Sequence, residues 1–280
     1  MINVLITGEG SYIGQALASA LAQFPHQYHT ETLDMRTPAW KDHDFSNTEV
    51  VFHVAGIAHI KETSANRDLY TAINRDLAIE TAQRAKQAGV KHFIFLSSMS
   101  VYGLETGHIN ASTPLNPLGA YGQSKAEAEV GIQQLQDTSF TVSTLRPPMV
   151  YGKGCKGNYP RLVRLALKSP VFPDVRNQRS MIYIENLMAF VKGLIDHRQG
   201  GVFFPQNAEF VSTGAMVREI AKAHNKHLFM PRCFNPILRG LPINVIQKAF
   251  GDLTYDHALS QVDWEYHVCD FAESIRRSES

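Results

Sequence analysis

Tyr121 and Lys125 stand four residues apart in the run Tyr-Gly-Gln-Ser-Lys, a spacing that suits proton transfer if the segment is helical. On a helix, residues i and i+4 share a face, with their Cβ atoms about 5–6 Å apart. A phenol with its ordinary pKa of about 10 is a weak base at neutral pH. A neighbouring ammonium group stabilises the phenolate and lowers that pKa. Alone the pair is weak evidence, because Tyr-x-x-x-Lys also occurs in helices without a catalytic role.

Ser98 is the third candidate, because it follows an apolar run at residues 93–97 that is typical of a buried strand. Ligands of α/β proteins bind at the carboxyl ends of parallel strands. A hydroxyl there can hold a substrate oxygen and relay its proton to Tyr121. Ser97 and Ser100 compete for this role, and capping of the strand end is the non-catalytic explanation. The three residues together form the predicted catalytic set.

A glycine-rich loop between a predicted strand (residues 3–7) and a predicted helix (residues 13–24) indicates phosphate binding. Glycine permits positive φ and close approach of the backbone to a ligand. The N–H groups at the start of a helix then receive a pyrophosphate. The cofactor-binding residues predicted in this loop are Gly8, Gly10, Ser11, Tyr12, Ile13 and Gly14.

Asp34 stands twenty residues after Gly14, at the end of a predicted second strand. A carboxylate at that place accepts the ribose hydroxyls of an adenosine. It favours NAD over NADP, because the 2′-phosphate of NADP would face a negative charge. Arg36 lies nearby and keeps NADP open as an alternative. NAD is therefore the predicted cofactor.

The elements that would position these residues alternate between strand and helix. Beyond the first two strands, the apolar patterns predict strands at 50–54, 93–97 and 140–145, and helices at 69–88, with Gly89 as its C-cap, and 120–135. Strands separated by helices of this length indicate βαβ units and a parallel sheet. The predicted fold class is α/β, with a Rossmann-like doubly wound parallel sheet.

The order of elements loosens after Tyr151, where glycines and a basic helix (residues 160–168) follow. Residues 181–184 and 202–204 are typical of strands that return to the sheet. The pattern predicts a smaller C-terminal substrate lobe that is interleaved with the sheet domain. The predicted division assigns residues 1–148 and about 179–206 to the NAD(P)-binding domain, and residues 149–178 and about 207–280 to the lobe.

Composition excludes several classes of protein. The chain has 280 residues, with 27 Lys plus Arg against 26 Asp plus Glu, and its net charge of +1 provides no global field for nucleic acid or an acidic membrane. No apolar run reaches the roughly 18 residues of a membrane span. The first residues, MINVLITGEG, lack the features of an export signal, so a cytoplasmic location is expected. Cys155, Cys233 and Cys269 form neither a disulfide framework nor a metal site, so reduced thiols and no metal are predicted.

In chain order these segments resemble the extended short-chain dehydrogenases/reductases, and within them the NAD-dependent nucleotide-sugar epimerases and dehydratases of the UDP-glucose 4-epimerase type. The resemblance spans nearly the whole chain. It is carried by Thr7-Gly8…Gly14, His53-Val-Ala55-Gly56, Asn74, Leu96-Ser-Ser98-Met-Ser-Val-Tyr-Gly103, Tyr121…Lys125, Leu145-Arg-Pro-Pro-Met-Val-Tyr-Gly152 and Arg179-Ser-Met-Ile-Tyr-Ile-Glu-Asn186.

The resemblance implies a role for each matching residue. Gly8, Gly14 and Asp34 would hold the adenosine diphosphate part of the cofactor, and Lys125 would also contact the nicotinamide ribose. The other implied residues are Ala55 and Gly56 in the cofactor groove, and Asn158 and Arg179 at the diphosphate of a nucleotide-sugar substrate. A guanidinium suits a phosphate group geometrically.

Two positions depart from the family pattern. Ser11 fills the place of the usual middle glycine, so it either donates to a phosphate or changes the turn. Met99 and Ser100 stand where the dehydratases carry an Asp-Glu acid pair. Elimination of water needs a general acid for the leaving hydroxyl. The sequence therefore argues against a dehydratase.

Three functions remain open. The first is a 4-epimerase of a UDP-sugar, in which Tyr121 takes the proton from O4 while hydride passes reversibly between C4 and NAD. The second is an NAD(P)H-dependent 4-ketoreductase that makes a deoxysugar for surface polysaccharide, and the third is a dinucleotide-binding protein without turnover. The resemblance also suggests a homodimer through the helix of Tyr121, although few apolar positions there are expected to be exposed (Ala126, Val130 and Ile132).

Overall fold

The computed structural model describes residues 1–58, 60, 62–231 and 250–280. In chain order its strands and helices are β1 (Ile2–Thr7), α1 (Tyr12–Leu21), β2 (Tyr28–Leu33), β3 (Val50–His53), α2 (Arg67–Tyr70), α3 (Leu77–Gln87), β4 (His92–Leu96), β5 (Gly107–Ile109), α4 (Gly119–Gln133), β6 (Thr141–Leu145), β7 (Met149–Tyr151), α5 (Tyr159–Lys168), β8 (Met181–Tyr183), α6 (Ile184–His197), β9 (Gly201–Phe203), α7 (Thr213–Ala223), β10 (Leu253–Tyr255) and α8 (Phe271–Glu279).

The described chain separates into two compact units. The first comprises Met1–Gly103, Pro114–Pro147 and Met188–Phe204. The second comprises Leu104–Thr113, Pro148–Leu187 and Pro205–Ser280. Each unit takes its residues from several parts of the chain.

A six-stranded parallel sheet in the order β2-β1-β3-β4-β6-β9 forms the centre of the first unit. Val4 of β1 pairs with Thr30 on one side and with Val50 on the other. The chain therefore passes from β1 to β2 on one side of β1 and then returns to β3 on the opposite side. This reversal of strand order creates a topological switch point between β1 and β3. The predicted α/β class with a parallel sheet is confirmed.

The connection from β2 to β3 contains a 3-10 turn, Pro38–Asp42, where a doubly wound fold commonly carries a helix. Trp40 in this turn is 3% exposed and packs with Met35 and Ala55 in a small apolar cluster. The cluster therefore lies beside the switch point and supports the segment that follows β3.

Helices α3 and α4 pack on one face of this sheet. Small residues of α3, Ala78, Ala82 and Ala85, allow the helix backbone to approach the sheet closely. They share a core with the sheet residues Phe93, Phe95 and Val142, and burial of this apolar surface is the main stabilising contribution. Ile132 of α4 belongs to the same core and is fully buried, so its expected exposure was wrong.

The helix predicted at 69–88 is present but contains a π-helical segment, Thr71–Asp76, between α2 and α3. Such segments insert an extra residue per turn and occur frequently at functional sites. The helix ends with Ala88 as C-cap, and Gly89 follows with a φ of +86°. The predicted C-cap glycine thus lies one residue beyond the cap, in the left-handed conformation that commonly ends helices.

The second unit contains two small parallel sheets, β5 with β10 and β7 with β8. Met149 pairs with Met181, so the prediction that residues 181–184 return to the main sheet was wrong. The prediction for residues 202–204 was right in kind, because β9 pairs with β6. Residues 104–113 also group with this unit, since β5 pairs with β10. The predicted division had placed residues 104–113 and 179–187 in the NAD(P)-binding domain, whereas here they group with the second unit.

Within the described residues, Cys155 is buried and Cys269 is half-buried, and both carry free thiols. Cys233 lies outside the described residues. The described helices include none with the length and apolar character needed to cross a membrane. The same residues contain no group of three or more His, Cys, Asp or Glu side chains that could hold a metal ion.

Candidate active site

The glycine loop after β1 has the backbone that a phosphate cradle requires. Gly8 and Gly10 have φ of +88° and +74°, values that L side chains rarely adopt. A Cβ on Gly8 would lie 3.0 Å from the backbone of Ala55, whereas one on Gly10 would meet nothing within 4 Å. Gly8 is therefore required for the close approach of the loop to the segment after β3.

Ser11 caps helix α1. Its Oγ accepts a hydrogen bond from the backbone N of Gly14 across 3.2 Å. A Cβ on Gly14 would lie 2.6 Å from that oxygen, so the serine and the last glycine of the loop depend on each other. Tyr12 and Ile13 form the start of the helix. The serine in place of the middle glycine thus completes the start of α1, where backbone N–H groups and the helix dipole favour an anion.

Asp34 lies directly after β2, which is the neighbour of β1. Its carboxylate accepts hydrogen bonds from the Nε and Nη2 atoms of Arg36 across 2.8 and 2.7 Å. These bonds lower the pKa of Asp34 to about 2, so the carboxylate is ionised at neutral pH. The positive-φ loop, the start of α1 and this carboxylate together fit the diphosphate and ribose of a dinucleotide.

Gly56 is the point at which the segment after β3 meets helix α4. A Cβ there would lie 2.9 Å from Oδ1 of Asn74 and 3.4 Å from Nζ of Lys125. Ala55 is 6% exposed, while Gly56 itself is exposed. The structure therefore brings three predicted residues, Ala55, Gly56 and Lys125, together at the carboxyl edge of the sheet.

Asn74 organises this edge, although its sequence motif carried no predicted role. The side chain is fully buried in the π-helical segment. Its Oδ1 accepts from Ile57 N across 2.8 Å, and its Nδ2 donates to Ile57 O across 3.0 Å. Nδ2 also lies 3.3 Å from Oγ of Ser124, the residue before Lys125. Asn74 thus ties the segment after β3 to helix α4.

Ser98 and Tyr121 lie within reach of each other. Ser98 caps a 3-10 turn, Met99–Tyr102, by accepting from Ser100 N across 3.1 Å. Burial raises the pKa of Tyr121, and the nearby Ser98 hydroxyl lowers it by less. Tyr70 packs edge-on against the phenol ring, with ring centroids 6.4 Å apart. The two residues can therefore exchange a proton with a substrate oxygen placed beside them.

Lys125 is 4% exposed and lies over the ring of Phe95, 4.7 Å from its centroid. Its Nζ donates to the carbonyl oxygen of Leu96 across 2.8 Å. Burial lowers the pKa of Lys125 to about 8, against an opposing effect of Glu129. The expected lowering of the Tyr121 pKa by this ammonium group is not found: burial raises that pKa, and the smaller effects come from Ser98 and Tyr70.

Glu62 is a residue that sequence reasoning missed. Helix α4 begins after Leu118, which supplies no side-chain cap. Oε2 of Glu62 instead accepts from Ala120 N across 2.8 Å, and this bond lowers the pKa of the carboxyl group. A carboxylate at a helix N-terminus also interacts favourably with the dipole. No sequence pattern near Tyr121 indicates this partner, because it comes from 58 residues earlier in the chain.

The two predicted diphosphate contacts lie in the second unit. Asn158 is exposed and stands at the N-cap position of α5, without a side-chain cap bond. Arg179 is half-buried, and its Nη1 donates to Gly251 O across 3.0 Å. Burial lowers the pKa of Arg179, while Glu105 and Asp252 raise it. Their contact with a substrate diphosphate stays a prediction.

Comparison with known proteins agrees with this geometry. A "UDP-glucose 4-epimerase" of Vibrio cholerae is 37% identical over 191 residues, which cover 64% of this chain and 58% of that protein. An "N-acetyl-alpha-D-glucosaminyl-diphospho-ditrans,octacis-undecaprenol 4-epimerase" of Escherichia coli O157:H7 is 25% identical over 89% of this chain and 81% of that protein. The match thus spans less than two thirds of the Vibrio protein.

A solved structure and a family model extend the comparison. The UDP-glucuronic acid 4-epimerase of Bacillus cereus in complex with NAD superposes with a TM-score of 0.77 at 17% identity, over 99% of this chain and 97% of that chain. At this identity the likeness shows the fold alone. The model of the NAD dependent epimerase/dehydratase family matches residues 4–203. The chain therefore belongs to the NAD dependent epimerase/dehydratase family.

Proposed function

We propose that the chain is an NAD-dependent 4-epimerase of a nucleotide sugar, with a UDP-sugar as its substrate. The observation that carries the proposal is the placement of Ser98, Tyr121 and Lys125 at the carboxyl edge of the sheet that also bears the glycine loop. Nζ of Lys125 lies 3.4 Å from the Cβ position of Gly56, so the catalytic set borders the proposed cofactor groove.

Each catalytic residue has a distinct role in this proposal. The Tyr121 phenolate takes the proton from the sugar O4 and returns it in the second half of the reaction. The Ser98 hydroxyl, which donates to Oγ of Ser100 across 3.1 Å in this structure, would turn to hold O4 and share that proton. The Lys125 ammonium still has two N–H groups after its bond to Leu96 O, and these can hold the nicotinamide ribose.

NAD, when bound, supplies the acceptor for hydride from the sugar C4 and the donor that returns it. The chain's own residues bind and orient it. Gly8, Gly10 and the start of α1, from Ser11 to Gly14, would hold the diphosphate. Asp34 would accept the adenosine ribose hydroxyls, and Ala55 and Gly56 would line the groove.

The names of the relatives support the substrate class. The Vibrio, Escherichia and Bacillus proteins are each named as 4-epimerases of a sugar joined to a diphosphate. Asn158 and Arg179 are the residues that we propose for the diphosphate of this substrate. Met99 and Ser100, where dehydratases carry an acid pair, support epimerisation over elimination of water.

Return of a deuterium label tests the reaction. UDP-glucose, UDP-galactose, UDP-glucuronic acid and their N-acetylated counterparts, each with deuterium at C4, are incubated with the protein without added NADH or NADPH. Proton NMR should show the C4 epimer with deuterium kept at C4, because the label leaves and returns within one active site. Absence of any epimer from the panel would contradict the proposal.

Formation of an epimer without added NADH or NADPH also distinguishes the proposed epimerase from the other two candidate functions. A 4-ketoreductase would consume one NADH or NADPH for each 4-keto sugar reduced and would form no epimer without it. A binding protein without turnover would retain NAD binding and show no effect of Tyr121→Phe in any assay.

The dimer through α4 also stays a proposal: Val130 there is 58% exposed, and light scattering of the intact chain tests it.

A further inference from the structure

A buried ion pair links helix α4 to the end of strand β6. The side chains of Glu129 and Arg146 are only 8% and 11% exposed. Nη2 of Arg146 lies 2.5 Å from Oε2 of Glu129, and Nε lies 3.1 Å from Oε1. Removing two charges from water offsets much of their attraction, so a buried pair is weak evidence for stability alone. The contacts around the pair indicate a more specific role.

The pair is bonded to both ends of the turn that carries Ser98. Ser97, directly before Ser98, donates through its Oγ to Oε1 of Glu129. Nη1 of Arg146 donates to the hydroxyl of Tyr102 across 2.9 Å, and Tyr102 is the last residue of the 3-10 turn that Ser98 caps. The orientation of Ser98 therefore depends on the position of the pair.

Glu129 also faces Lys125, which lies one helical turn earlier on α4. Its carboxylate raises the pKa of Lys125 against the larger effect of burial. Two other titratable groups lie near this lysine. Tyr121 precedes it by one turn on α4, and His53 approaches from β3, where burial lowers the imidazole pKa to about 3 and keeps it neutral. Glu129 is therefore the carboxylate that supports the ammonium form of Lys125.

We propose that Glu129 is a positioning residue for the reaction. With Arg146 it fixes the Ser98 turn against α4, and its negative charge favours the ammonium form of Lys125. The inference rests on the proposed function, because it assigns Ser98 and Lys125 to the chemistry. Neither residue of the pair is assumed to touch substrate or cofactor.

Titration of Lys125 tests the inference without substrate or cofactor. The protein is labelled with ¹³Cε-lysine, and the Lys125 signal is identified by its loss in Lys125→Met. Lys125 should titrate at a pH of about 8 in the wild-type protein and about one pH unit lower in Glu129→Gln. Glu127→Gln is the matched control on the same helix, because Glu127 is half-exposed and pairs with Arg75; it should leave the titration unchanged. Equal titration of Lys125 in the wild type and in Glu129→Gln would overturn the inference.

A double variant guards against a simple failure to fold. Loss of one partner leaves a buried charge unpaired and destabilises the protein, whereas loss of both partners costs less. Glu129→Gln with Arg146→Gln should therefore melt nearer to the wild type than Glu129→Gln alone and should keep the lowered Lys125 titration. Recovery of the melting temperature together with a wild-type titration would show a structural role only and would reject the proposal.

Activity gives the second readout. At pH 7.5 Glu129→Gln should reduce kcat about threefold or more with KM within about twofold, because the pair acts on the reacting groups and not on substrate contacts. Glu129→Asp should restore part of the loss, since it keeps the charge. A wild-type protein that converts no nucleotide sugar would reject the proposed function, while the lysine titration would still decide this inference.

Discussion

The side chain of Arg36 donates two hydrogen bonds to the carboxylate of Asp34, which lies two residues earlier in the chain. Besides these two bonds, Arg36 donates its backbone N–H to Oδ1 across 2.9 Å. The Arg36 side chain is 77% exposed, so the pair contributes little to stability. Its significance is that a carboxylate and a guanidinium both stand where the ribose of the cofactor is expected.

Asp34→Ala should shift the preference from NAD towards NADP. The substitution removes the charge that repels a 2′-phosphate and releases Arg36 to bind it. We expect the ratio of the two dissociation constants to change by about tenfold or more. Isothermal titration calorimetry measures both constants. Arg36→Ala is the control and should keep the preference for NAD; an unchanged ratio in Asp34→Ala would contradict the role of the carboxylate.

Tyr121→Phe should abolish most turnover without unfolding the protein. A positioned proton-transfer group contributes about 10²- to 10⁴-fold to the rate, and the phenyl ring preserves the packing against Tyr70. The label-return assay should show kcat reduced by about 10²-fold or more, with unchanged NAD affinity. Tyr70→Phe keeps Tyr121 and should alter kcat only a few-fold. Comparable losses in both variants would contradict a specific role of the Tyr121 hydroxyl.

Gly8→Ala should cost more stability than Gly89→Ala. The two glycines have nearly equal φ values of +88° and +86°, so alanine carries a similar backbone penalty, about 1–2 kcal/mol, at both. Only at Gly8 does the new Cβ also meet backbone, at 3.0 Å from Ala55. We expect losses of about 3 kcal/mol at Gly8 and about 1 kcal/mol at Gly89 in the free energy of unfolding. Urea denaturation measures them, and equal losses would show that the loop relaxes freely.

Acid should destabilise the protein through His53. Its folded-state pKa of about 3 lies below the ordinary value of 6.5, so the unfolded chain binds a proton that the folded chain rejects. The stability is therefore fully present above a pH of about 6.5 and falls by about 1 kcal/mol for each pH unit below it. Urea denaturation between pH 7.5 and 4.5 should show a shallower dependence for His53→Asn than for the wild type.

The exposed residue His29 provides the control for this effect. His29→Gln is the matched control, because it removes an exposed imidazole instead of the buried one. A wild-type slope in His53→Asn would assign the acid sensitivity to other groups, of which His92, with a pKa lowered by burial to about 4, is the first to examine.

The fold class and the contents of the main sheet were predictable from local pattern. The apolar run of β4 and the glycine loop before α1 each express one local rule, burial or positive φ, that a sequence displays directly. The placement of β8 was not predictable. An apolar run such as Met181–Tyr183 would be buried in the main sheet as well as in the small one. Only the pairing of Met181 with Met149 shows that it belongs to the small sheet.

The site was predictable where a residue acts through its own chemistry. The spacing of Tyr121 and Lys125 and the position of Ser98 suffice to nominate them. Glu62 and Glu129 were missed because their roles depend on partners distant in the chain: a helix N-terminus 58 residues later for Glu62, and Ser97, 32 residues earlier, for Glu129. The position of a Glu in the sequence does not indicate a partner that is distant in the chain.

The π-helical segment at Thr71–Asp76 makes the spacing of residues in this region intolerant of small deletions. Each residue of a regular α-helix turns the chain by about 100°. Loss of a single residue from the segment would leave a continuous, regular helix but would rotate α2 against α3 by about that angle. Asn74 could not then face Ile57 and Ser124 while the alanines of α3 still face the sheet. A relative one residue shorter here, however similar otherwise, must hold the cofactor edge of its sheet by other contacts.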